Sequence, residues 1–174
     1  YYQEQRSTSA EDNAKTKGLY QDSFIGERLH KPDVISDVEH VWIDKDGEET
    51  NEVASRAPVA LRCRFKLLID TPPRNLIFGV PVWTSDGTLL TGFSTEVMPF
   101  DIIPEIGEWS EVTLDIPDMN LNPGIFYSTL GIVDGSEFLY RDENPVLTVR
   151  QGHPRFWGLV SLPHSWSTTK IPGK

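Results

Sequence analysis

The chain has one cysteine, Cys63, among 174 residues, so no internal disulfide is available to it. A lone thiol fits a reducing compartment. Long apolar runs are missing as well. The most apolar stretch, Ile77 to Trp83, is broken by Gly79 and Pro81 and falls far short of the roughly 18 residues of a membrane span. Tyr1 to Lys17 is polar and lacks the apolar centre of a signal peptide. There is no starting methionine, which suggests a piece of a longer protein. Positive charge is scarce: 16 Lys and Arg stand against 26 Asp and Glu, for a net charge of −10. That balance excludes nucleic acid or an anionic membrane surface as the main partner, since both demand clustered Lys and Arg.

Several chemical signatures are absent too. No Gly-x-x-x-x-Gly-Lys or Gly-x-Gly-x-x-Gly occurs, so this stretch carries no phosphate loop. His30, His40, His153 and His164 lack metal-ligand spacing, and Cys63 has no partner for a zinc site. His40 and His153 are expected to be ordinary surface histidines. Asp44, Asp46, Gly47 and Glu48 resemble half a calcium loop, but the later acidic ligand is missing, so a turn is expected there. No acidic pair stands out for glycoside hydrolysis, because Asp86, Asp134 and Asp142 all fall in turn sequences. No catalytic residue, metal or cofactor is therefore expected.

What is present is β pattern. A strand is expected over Ala57 to Leu67, where Val59, Leu61, Cys63, Phe65 and Leu67 alternate with Ala60, Arg62, Arg64 and Lys66. Cys63 falls on the core face of that strand. Strands are also expected at Ile35 to Asp44, with a bulge near Glu39-His40, and at Leu76 to Thr84, Leu89 to Thr95 and Trp109 to Ile116. Further strands are expected at Glu137 to Tyr140, Val146 to Val149 and Phe156 to Leu162. Between them lies the most informative stretch, Asn120 to Gly135. Pro123-Gly124 opens it as a turn and Asp134-Gly135 closes it. Phe126, Ser128, Leu130 and Ile132 share one face; Ile125, Tyr127, Thr129, Gly131 and Val133 share the other. Residues 1 to 33 have no apolar period and are expected to form a linker or arm, with Leu19, Tyr20, Phe24 and Ile25 able to dock. Residues 34 to 174 would then form one all-β domain, an immunoglobulin-like or jelly-roll sandwich of eight or nine short antiparallel strands.

The remaining chemistry is a binding surface. Alternation places Trp83, Tyr127, Arg62, Arg64, Thr129 and Phe93 opposite the expected core positions. Aromatic faces stack on the C–H face of sugar rings, and Arg and Thr bond hydroxyls. A carbohydrate-binding face made of those six residues is the resulting expectation. A structural or interaction sandwich without a glycan site, and a small jelly-roll enzyme that modifies glycans, are the alternatives.

The ordered motifs carry a family resemblance. They run Ile35…Val41-x-Ile43-Asp44-x-x-Gly47, Val59-x-Leu61-x-Cys63-x-Phe65 and Phe78-Gly79-Val80-x-Val82 with Asp86-Gly87. They continue with Gly107…Val112-x-Leu114-x-Ile116-Pro117, Leu121-x-Pro123-Gly124-x-Phe126 and Gly158-Leu-Val160-x-Leu162-Pro-His-x-Trp166. Over about residues 34 to 166 the chain resembles the C-terminal carbohydrate-binding domain of the ATP-binding subunit of bacterial O-antigen (lipopolysaccharide) ABC exporters, the Wzt type. Phe126 stands where such domains often have Tyr.

The resemblance implies a non-enzymatic domain that recognises the terminus of a lipid-linked O-antigen polysaccharide for export. It implies an ATPase domain upstream in the same chain, a membrane permease as partner, and a cytoplasmic place peripheral to the inner membrane. It further implies a homodimer that can exchange its last strand, here Phe156 to Leu162, about a hinge at Gln151 to Pro154.

Overall fold

The computed structural model describes residues 27–69, 76–97, 104–152, 158–160 and 165. Among them are ten strands and no helix: β1 (Leu29–His30), β2 (Ile35–Ile43), β3 (Glu52–Ala54), β4 (Val59–Leu67), β5 (Leu76–Thr84), β6 (Leu89–Ser94), β7 (Trp109–Ile116), β8 (Gly124–Asp134), β9 (Glu137–Glu143) and β10 (Leu147–Arg150). They form a sandwich of two sheets. The smaller has the order β2-β4-β7, antiparallel throughout. The larger is organised on β8, the longest strand. β5 lies along one edge of β8, with β6 beyond it. The other edge of β8 is shared: β10 covers Gly124–Phe126 and β9 covers Thr129–Asp134. β1 lies outside β9, antiparallel to it, and β3 lies outside β10, parallel to it.

Alternation builds the interior. Phe65 and Ile35 from the smaller sheet meet Phe78, Leu130 and Ile132 from the larger in one apolar cluster. Phe65 and Phe78 face each other with ring centroids 5.6 Å apart. Cys63 is buried among these residues, as the period predicts, and burial pushes its thiol up to about 12. β8 and β9 are joined through Gly135-Ser136, where Gly135 has φ +60°. That left-handed conformation costs glycine little, so a two-residue hairpin closes there.

The expected sandwich is the observed fold, and three details differ. The strands number ten among the described residues, because β1 and β3 are too short to show a period. β1 pairs with β9, so the larger sheet begins inside the stretch expected to be linker. The bulge in β2 falls between Ser36 and Glu39, earlier than expected, with Asp37 at φ +49°. Asp tolerates that region through local side-chain bonding. The expected docking residues Leu19 to Ile25 and His153 lie outside the described residues. So does most of the expected last strand, of which Gly158 to Val160 is described. There Val160 bridges Leu121, and the Asn122 N–H donates to the Leu159 carbonyl at 3.1 Å.

Candidate functional site

The strand registers sort the six expected site residues into three places. In the larger sheet Val82 opposes Ser128 and Trp83 opposes Tyr127. Val82 joins the apolar core, so Trp83, Tyr127 and Thr129 lie on the opposite, outer face of the sheet. Arg62 and Arg64 also face outward, but on β4 of the smaller sheet, across the sandwich. Alternation tells which side of a strand a residue occupies and not which sheet the strand joins. The two arginines are surface ion-pair partners there, Arg62 with Glu49 at 3.4 Å and Arg64 with Glu111 at 2.7 Å. Phe93 is a correction of a different kind. β6 pairs with β5 so that Phe93 opposes Val80, an inward residue, and Phe93 packs against the core. It lines two clefts between the sheets, of about 240 and 320 Å³.

Two more corrections concern exposure. Trp83 is 4% exposed and Thr129 3%, so neither stands on an open shelf. Trp83 is flanked in register by Leu89 on one side and Tyr127 on the other, two large neighbours on its own face. Its indole Nε1–H is buried and meets no acceptor. A buried donor without a partner forgoes a hydrogen bond and has already lost its water.

The outer face of the larger sheet reads as rows across strands. One row holds Trp83 and Tyr127. Two residues along, Thr129 opposes Glu143 on β9, and Pro81 opposes Gly92 on β6. The next row is Gly79, Gly131 and Arg141. A Cβ built on Gly79 would meet nothing within 4 Å, so that position is a bare depression in the sheet. Gly131 is partly roofed by Phe138, whose ring edge lies 3.5 Å from where a Cβ would stand. The Arg141 guanidinium rests on that ring, 4.3 Å from its centroid. At a rise of about 3.3 Å per residue, the aromatic row and the glycine row are about 13 Å apart. Sequence reasoning missed Arg141 and the paired glycines, because the strand expected at Glu137 to Tyr140 stops one residue short of Arg141, whereas β9 runs to Glu143. The Gly-x-Pro-x-Trp of β5 and the Tyr-x-Thr-x-Gly of β8 were the available signal.

Sequence reasoning also placed His40 at the surface. Instead it joins the two sheets. Its Nδ1 lies 2.7 Å from Asn144 Oδ1 and its Nε2 lies 3.0 Å from the Tyr140 hydroxyl. Asn144 donates through Nδ2 to Ser128 Oγ at 2.8 Å, which leaves its oxygen to accept from His40. Burial lowers the His40 pKa, and the Asn144 bond opposes it. This polar seam ties the smaller sheet to the larger through side-chain hydrogen bonds, which is a structural role. Among the described residues, no group of three or more His, Cys, Asp or Glu could hold a metal ion.

A two-sheet sandwich with an aromatic and glycine row on its outer face defines a β-sandwich domain. The family profile of the Wzt C-terminal domain matches residues 34–162, and the chain belongs to that family, the β-sandwich domain of O-antigen ABC exporters. A solved structure described as the C-terminal domain of Wzt superposes with a TM-score of 0.69 at 18% identity, covering 82% of this chain and 88% of that one. The CARDB domain of the PF1109 protein from Pyrococcus furiosus is similar at a TM-score of 0.41 and 10% identity, over 73% of this chain and 97% of that one. A β-glucosidase from Listeria innocua, in complex with glucose, is similar at 0.40 and 14% identity, over 68% of this chain and 16% of that one. No curated protein sequence matches the chain. No helix among the described residues is long and apolar enough to cross a membrane.

Proposed function

We propose that this domain binds carbohydrate on the outer face of its larger sheet and recognises the terminus of an O-antigen polysaccharide before export. The observation that carries the reading is the aromatic pair itself: Tyr127 stands in register with Trp83 on a sheet face turned away from the core. Tyr127, half-buried, offers an aromatic edge for the ring beside it. Thr129 and Pro81 form the floor of the row that follows. Single-site affinity is modest, since sugar hydroxyls exchange bonds with water for bonds with protein at small net gain.

The same reading places the domain on the cytoplasmic side, next to a nucleotide-binding domain and a permease. It makes the domain a homodimer whose paired sites raise avidity. Family membership supports these points. Calorimetric titration of the purified chain with the O-polysaccharide of its source bacterium tests the proposal. Saturable binding that Tyr127→Ala removes, with the melting temperature little changed, supports it. An intact fold that binds no polymer would overturn it and assign the domain to contact with the transporter.

A further inference from the structure

Nine lysines and arginines fall within the described residues. Eight hold a carboxylate: Arg28 with Asp142, Lys31 with Glu137, Lys45 with Asp46, Arg56 with Asp118, Arg62 with Glu49, Arg64 with Glu111, Lys66 with Asp37 and Arg150 with Glu52. Arg141 is the ninth, and among the described residues it has no such partner. Its Nε–H is also buried without an acceptor. In a chain with 26 acidic residues a half-buried arginine left without one is unusual. Its position is fixed from below by the Phe138 ring and from the side by the register with Gly131. In the same row, two strands over and about 10 Å away, the bare backbone of Gly79 leaves room for a group of several heavy atoms within reach of the long Arg141 side chain. Guanidinium is a planar fork of donors that matches a carboxylate or phosphate, and stacking on an aromatic ring preorganises it.

We propose that Arg141 is a specificity-determining residue of this face, and that the glycan end bound there carries an oxyanion, a carboxylate or a phosphate, seated over Gly79. The inference rests on the carbohydrate reading above and adds the charge class of the ligand. The spacing suits it. About 13 Å separates the aromatic row from the glycine row, enough for two or three sugar rings between the stacked ring and the anion.

The test titrates the 15N-labelled chain with inorganic phosphate, with glucuronate and with glucose, following the Arg141 side-chain Nε–H and the Gly79 and Gly131 amides. The expected result is saturable shifts at these three signals with one or both anions and none with glucose. The stronger of the two anions identifies the source of the charge. Arg141→Gln should abolish the shifts, and Arg141→Lys should restore them in part. Shifts spread evenly over the surface arginines, or shifts that survive Arg141→Gln, would overturn the proposal.

A second arm uses the source O-polysaccharide, where Arg141→Gln should weaken binding roughly tenfold or more and flatten its dependence on salt. Full retention of affinity in Arg141→Gln, with loss in Tyr127→Ala, would sink the anion site and leave the carbohydrate reading standing. Failure of the unmodified chain to bind polymer would sink the carbohydrate reading, and the phosphate and glucuronate arm would still decide whether Arg141 takes an anion.

Discussion

The His40 Nε2 on the smaller sheet lies 3.0 Å from the Tyr140 hydroxyl on the larger, and this bond crosses the sandwich. Asn144 accepts from Nδ1, so neutral His40 takes its second bond as an acceptor and Tyr140 donates. Burial lowers the His40 pKa from the ordinary 6.5. As pH falls, the unfolded chain therefore takes up the proton first. The stabilisation is fully present above about 6.5 and is lost as pH drops from there toward the folded value. Thermal unfolding followed from pH 8 to pH 5 should show a falling melting temperature. That slope should shrink in His40→Gln.

His40→Ala should cost about 1–3 kcal/mol at pH 7.5, because it strands Asn144 and Tyr140 inside the seam. Denaturant unfolding reads the loss. A cost near zero would mean that water replaces the ring.

Cys63 should not react with a thiol reagent at pH 8 in the folded chain. Its thiol is buried and held far from the thiolate by desolvation. Labelling should appear with the unfolding transition. Rapid labelling of the native chain would show that the centre of β4 opens locally.

Gly152 packs against the turn after β3. A Cβ there would collide with the Ser55 backbone oxygen and come within 2.9 Å of the Ala54 Cβ. Gly152→Ala should destabilise the domain by roughly 1–3 kcal/mol through overpacking. In the opposite sense, Gly79→Ala meets no atom and should leave the melting temperature nearly unchanged.

Phe65→Ala should cost about 3–5 kcal/mol, since Phe65 is fully buried and faces Phe78 across the sheets. Trp83→Ala should be destabilising as well, because the indole is buried on its own face. Tyr127→Ala is therefore the cleaner probe of binding.

The sequence was legible wherever a strand was long and buried on one face. Leu76 to Thr84 has the expected bounds and Val59 to Leu67 begins two residues after the expected Ala57, because four or five apolar residues at a period of two leave one way to sit on a core. Glu52-Val53-Ala54 has one apolar residue and shows no period, so its pairing with β10, nearly a hundred residues away, could not be seen. The faces of Trp83 and Arg62 were readable, and their sheets were not. A strand's side chains record only in and out, whereas its neighbours are chosen by hydrogen bonds formed at long range. Phe93 failed for a related reason: the register shift between Val82 and Trp83 changes the phase of β6, and nothing in Leu89 to Ser94 announces it.

β3 follows a strand of one sheet, precedes another strand of that sheet, and is hydrogen-bonded in the other sheet, to β10. The polypeptide is thus laced between layers early, but the knot is tied only by residues 148 to 150. A ribosome must release nearly the whole domain before this stitch can close. Truncation ahead of residue 147 should consequently yield a chain that remains sensitive to protease, however complete its smaller sheet.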